Sequence, residues 1–258
     1  MKNIIIVGIV IIILIVGLII VFDNNYENKK TQNNIVPIGY KLVWNDEFDT
    51  NMDKWKLISE NWENAPVDNG SVLLTAYYRP IQNYISRSSV ESKYSFQYGY
   101  IEFRGRLSYV YGVANDLWLM PADGELSPEM DILERPGKVD WCLHSLMYNN
   151  GIWDSNYPNS QKCTTSDGQY HIFGMLWEPD KIVFYVDGVE RWRAQQSWLS
   201  HFNVPMNIDM ALCSDINVGC KYQGLGDATD PNDLPTDFAI DYVRVYQKHS
   251  NIESIFET

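Results

Sequence analysis

The sequence predicts an all-β domain, either a sandwich or a barrel, and three observations carry that reading. Apolar residues almost never recur at helical spacing. Short runs rich in β-branched and aromatic residues recur instead, split by Gly, Pro, Asn and Asp. Aromatics make up 14% of the chain, a composition that favours strands and also suits stacking on flat ligand faces.

The expected strands, in order, are Lys41–Trp44, Ser71–Tyr77, Tyr98–Leu107, Asp116–Met120, Glu129–Glu134, Trp141–Met147, Tyr170–Trp177, Lys181–Val186, Val189–Ala194 and Asp237–Gln247. The clearest hairpin joins Lys181–Val186 to Val189–Ala194. Asp187-Gly188 supplies the positive φ angles of its two-residue turn. Trp198–Phe202 reads as one short helical turn.

Ile4 to Phe22 carries no charge and is long enough to span a hydrocarbon core. Residues 1–22 are therefore expected to be an N-terminal transmembrane anchor. The alternative is a signal peptide, with secretion after cleavage, but Val21-Phe22-Asp23 lacks a small-residue cleavage site. Residues 23–37 read as a polar linker, 38–248 as the folded domain and 249–258 as a loose tail.

Without the anchor, 236 residues carry 19 basic and 33 acidic groups, a net of about −14. That balance excludes nucleic acid as a partner, because phosphate contacts need a basic surface. The four cysteines allow three pairings. Cys213 with Cys220 closes a short loop, leaving Cys142 with Cys163; reduced, buried thiols are the alternative. Pairing goes with a non-cytoplasmic domain. Asn69-Gly70-Ser71 is an N-glycosylation sequon.

The chemistry concentrates in Glu129-Met130-Asp131-Ile132-Leu133-Glu134. On a regular strand Glu129 and Asp131 share a face and Glu134 points away. One bulge between Asp131 and Glu134 returns Glu134 to the shared face and sends Met130, Ile132 and Leu133 to the core. Three carboxylates on one face repel one another unless they are used. Retaining glycosidases use such a pair, one ionised to attack and one protonated to donate. A solvated acidic strand or a carboxylate metal site is the plainer alternative.

These residues resemble glycoside hydrolase family 16, in its laminarinase-like branch with the bulged E-x-D-x-x-E signature. The likeness runs from Gly39 to Gln247. Leu42 to Asp49 resembles the family's opening W-x-D-E-F segment, and Tyr98 to Arg104 its Y-G-x-x-E-x-R strand. Leu117-Trp118-Leu119-Met120-Pro121 resembles the strand whose Trp floors the subsite beside the cut bond. Asp180 to Gly188 resembles its D-x-I-x-F-Y-x-D-G hairpin, and Asp241 to Gln247 its closing strand. Two segments depart from the pattern: Val113 to Trp118, and Met210 to Ser214 in place of Asn-Leu-Ala-x-Gly-Gly.

The resemblance implies a jelly-roll β-sandwich of two antiparallel sheets with a concave substrate groove. It implies Glu129 as nucleophile, Asp131 as its helper and Glu134 as general acid/base. Trp118 would stack on the sugar and His144 would line the site; Arg87, Trp62 and Trp153 are further groove candidates. No cofactor is needed for catalysis. A structural calcium is implied at Asp241, with Glu47 and the Gly70 carbonyl as partners. The function implied is endo-acting cleavage of a neutral polysaccharide, a β-1,3- or mixed β-1,3/1,4-glucan, by a monomeric domain. A wall-remodelling transglycosylase and an inactive glycan-binding module are the alternatives.

Overall fold

A computed structural model describes residues 36–58, 65–137, 141–149, 151–155, 163, 165, 167–214 and 229–249. The expected anchor at 1–22 lies outside them. Among the described residues no helix is long and apolar enough to cross a membrane.

The described residues form one compact unit. Its strands are β1 (Tyr40–Asp46), β2 (Trp55–Leu57), β3 (Val67–Asp68), β4 (Ser71–Ala76), β5 (Tyr78–Arg79) and β6 (Tyr84–Ile85). There follow β7 (Ser88–Phe96), β8 (Gly99–Arg106), β9 (Val113–Pro121), β10 (Glu129–Pro136), β11 (Leu143–Tyr148) and β12 (Ile152–Ser155). The last are β13 (His171–Glu178), β14 (Lys181–Val186), β15 (Val189–Ala194), β16 (Met206–Ser214) and β17 (Thr236–Lys248).

Two antiparallel sheets form from these strands. One runs β15-β14-β13-β8-β17-β4-β3, with β1 also paired to β17; the other runs β12-β11-β10-β9-β16-β7-β2. β5 and β6 form a separate ribbon. The all-β sandwich expected from the sequence is thus present.

Alternation places the core between the sheets. Leu117, Leu119, Met130, Leu146, Ile208 and Met210 from one sheet, and Phe103, Phe173, Phe184, Phe238 and Val243 from the other, are fully buried in one cluster. Burying side chains of this size contributes about 1.5–3 kcal/mol each, and this contact holds the sheets together. The Asp187-Gly188 turn forms as expected, with φ of 49° and 75° and Val186 paired to Val189. Trp198 lies in a 3-10 turn over Ser197–Phe202.

β7 and β16 were not among the expected strands. β7 reads as polar because serine fills buried positions: Ser88 and Ser92 are both fully buried. Their hydroxyls accept the backbone N–H groups of Thr75 and Ile208 at 3.2 and 2.9 Å, which satisfies them inside the fold. Cys142 and Cys163 form a disulfide. Cys220, the expected partner of Cys213, lies outside the described residues.

Candidate active site

The expected bulge is present. Asp131 pairs with Trp118 on β9, but the next paired residue of β10 is Leu133, opposite Leu117. Ile132 is therefore the extra residue, and the register towards β11 shifts between Asp131 and Glu134 as well. Met130, Ile132 and Leu133 are fully buried in the core, while Glu134 regains the face of Glu129 and Asp131, opposite Asp116.

Here the structure corrects one expectation. His144 does not line this face. It lies on β11 between Leu143 and Ser145, so it points inward and stacks on Phe184 of the other sheet at 5.1 Å. Burial holds its pKa down at about 4, so the ring is neutral. Its Nδ1 donates to the Ile132 carbonyl at 2.6 Å. His144 thus pins the bulge from the core side.

Ser145, the next residue, takes the place expected of His144. Its Oγ lies 2.5 Å from Asp131 Oδ2 and 3.1 Å from Glu134 Oε2. The hydroxyl has one proton to donate. It faces both carboxyl groups and can donate to either of them, one at a time.

Asp131 is 2% exposed, and its pKa is pushed well above the usual carboxylate range. Burial is the main cause, and the charges of Glu134 and Glu129 add to it. Glu129 is also raised by burial, but a hydrogen bond from Asp131 works the other way. Asp131 therefore keeps the proton and donates it to an ionised Glu129. A chain of hydrogen bonds runs from Glu134 through Ser145 and Asp131 to Glu129.

Cross-strand pairing sets these residues in a transverse row. Lys56 of β2 pairs with Glu91 of β7, Glu91 with Asp209 of β16, and Asp209 with Trp118 of β9. Trp118 pairs with Asp131, Asp131 with Ser145 and Ser145 with Ser155. Directly opposed residues share a face. The half-buried Trp118 therefore sits beside the carboxyl cluster, where a stacked ring would lie over it.

Asp209 went unnoticed in the sequence, although polar Asn207 and Asp209 alternate there with apolar neighbours. It is 2% exposed, and its Oδ2 has no hydrogen-bond partner among the described residues. Burial, then the charges of Glu91 and Glu129, push its pKa up to about 8 against an opposing pull from Lys56.

The side chains of two expected calcium ligands have cationic partners. Arg244 grips both Glu47 oxygens, at 2.9 and 2.8 Å, and Arg104 holds Asp241 at 2.7 Å. Gly70 serves the turn between β3 and β4, at φ 71°. Each of these two carboxylates is already neutralised by a guanidinium, so the side chains as placed do not fit a cation. No metal-holding group of three or more His, Cys, Asp or Glu occurs among the described residues. Trp62 lies outside them.

The profile of glycosyl hydrolases family 16 matches residues 40–242. The chain is 27% identical to glucan endo-1,3-beta-glucosidase A1 of Niallia circulans, over 81% of this chain and 38% of that protein. It is 27% identical to a beta-glucanase of Rhodothermus marinus, over 81% of this chain and 85% of that one. Among solved structures it is similar to the laminarinase of Flavobacterium sp. UMI-01, with a TM-score of 0.66 and 25% identity over 80% of this chain and all of that one. The fold is also that of SCLam, an endo-beta-1,3(4)-glucanase, with a TM-score of 0.71 and 22% identity over 83% and 93% of the two chains.

Proposed function

Because the chain belongs to glycosyl hydrolase family 16, in its laminarinase-like branch, we propose that it is a retaining, endo-acting β-glycoside hydrolase of a β-1,3- or mixed β-1,3/1,4-glucan. The observation that carries the reading is the chain Glu129–Asp131–Ser145–Glu134 on one bulged strand and its neighbour. It sets the two glutamates on one face of the strand with a protonated Asp131 beside Glu129, an arrangement that double displacement can use. The names of the relatives support the glucan.

Glu129, ionised and steadied by the Asp131 proton, attacks the anomeric carbon. Glu134 gives its proton to the departing glycosidic oxygen as that bond breaks. A glycosyl ester on Glu129 results. Glu134, now a carboxylate, takes a proton from water, whose oxygen displaces Glu129 and restores the starting charges with retained configuration. Trp118 supports the ring at the reacting carbon.

We place the domain on the non-cytoplasmic side of a membrane, monomeric and anchored through residues 1–22 and a linker at 23–37. The Cys142–Cys163 disulfide supports an oxidising compartment, and the uncharged run 4–22 supports the anchor.

Glu129→Gln is expected to lower turnover of a β-glucan by on the order of 10³-fold or more, with folding kept. Glu134→Ala is expected to spare substrates with good leaving groups, and added azide to restore turnover with a glycosyl azide of retained configuration. Wild-type activity in Glu129→Gln, or an inverted azide product, would overturn the assignment.

A further inference from the structure

A second aromatic side chain on the active-site face has no part in the mechanism above. β12 is the edge strand of its sheet, and Trp153 on it pairs with Met147, which pairs with Glu129. Trp153, Met147 and the nucleophile therefore share one face and one row. Trp153 is 52% exposed, and Met147 is half-buried. In the neighbouring row Ser155 pairs with Ser145. Beyond the nucleophile the face thus carries an apolar strip, Met147 and Trp153, flanked by two hydroxyls.

A pyranose ring has this same pattern, with C–H groups on its faces and hydroxyls around its edge. An indole offers a flat apolar surface for such a face. Trp118 lies on the other side of β10, on β9. Two strand spacings separate Trp153 from the catalytic strand, about 10 Å, or about two sugar rings.

From this placement, which rests on the reading above, we propose that Trp153 with Met147 forms an outer sugar subsite. It takes the same glycan chain about two rings from the cleaved bond, so the enzyme is tuned to chains that extend across β11 and β12. The occupant is the substrate's own chain, because the strip is continuous with the row of the nucleophile.

The test compares kcat/KM on a β-1,3-linked hexasaccharide and trisaccharide for the wild type, Trp153→Ala and Trp153→Tyr. Loss of the indole should lower the hexasaccharide-to-trisaccharide ratio roughly tenfold, and tyrosine should recover most of it. Should Trp153→Ala lose its cooperative melt, Trp153→Leu keeps bulk on the edge strand without a ring, and the same fall in ratio is expected. A ratio unchanged by removal of the ring overturns the subsite alone. A wild-type enzyme that cleaves neither oligosaccharide nor polymer overturns the hydrolase reading, and the subsite with it.

Discussion

Asp209→Asn should make the protein more stable, and by an amount that grows with pH. In the folded state Asp209 is buried, its Oδ2 has no hydrogen-bond partner among the described residues, and the charges of Glu91 and Glu129 face it. Its pKa accordingly rises from 3.8 to about 8. The sign follows from proton binding. Below the unfolded value both states hold the proton, and the contribution is intact. Between the two values the unfolded chain has lost its proton while the folded chain keeps it. Stability therefore falls as pH rises, and levels off above the folded pKa.

Each pH unit in that window costs about 1.4 kcal/mol, so near pH 7 the burden is about 4 kcal/mol. Asparagine keeps the shape of the neutral acid and removes the proton linkage. The assay is urea denaturation of both proteins at about pH 4.5, 6 and 7.5. The stability difference should be small at the lowest pH and widen by about 1.4 kcal/mol per unit. In a domain of this size, that is about 2–4 °C of Tm for each kcal/mol. A difference that stays constant across the three pH values would refute a proton-holding Asp209.

Ser145→Ala removes the hydroxyl joining Asp131 to Glu134; kcat should fall roughly tenfold or more with KM little changed, read by steady-state kinetics. His171 lies between Asp187 and Asp167 at 2.7 and 3.0 Å, and the hydrogen bond to Asp187 is the main cause of its raised pKa. A raised histidine adds stability that is fully present below its unfolded value of about 6.5 and lost as pH rises through its folded value. His171→Gln should therefore lower Tm more at mildly acidic than at alkaline pH. Because Arg244 and Arg104 hold Glu47 and Asp241, Tm should not respond to a chelator or to added calcium; a calcium-dependent rise of several degrees would restore the ion.

The acid trio could be read from the sequence because a bulge has a sequence signature. Glu129, Asp131 and Glu134 are polar, and Met130, Ile132 and Leu133 are apolar. Only one extra residue reconciles that order with a two-sided strand, and Ile132 is that residue. Asp187-Gly188 was legible for a similar reason, since few residue pairs accept two positive φ angles. His144 was misplaced because it was assigned to the site by resemblance, whereas alternation along its strand turns Ser145 to the carboxyl face and His144 to the core. Its neighbour Ser145 carries the polar contact, and His144 supports the bulge from behind.

Local chemistry alone determined the all-β class, the hairpin and the bulged carboxylate strand, because turn preference and alternation act between residues close in the chain. Lateral order belongs to the tertiary structure. Glu91, Asp209, Trp118, Asp131 and Ser145 come from five strands spread from β7 to β16, and only sheet pairing aligns them in one row. That row sets the protonation of Asp131 and Asp209, because burial and neighbouring charges, not residue type, decide where a carboxyl holds its proton.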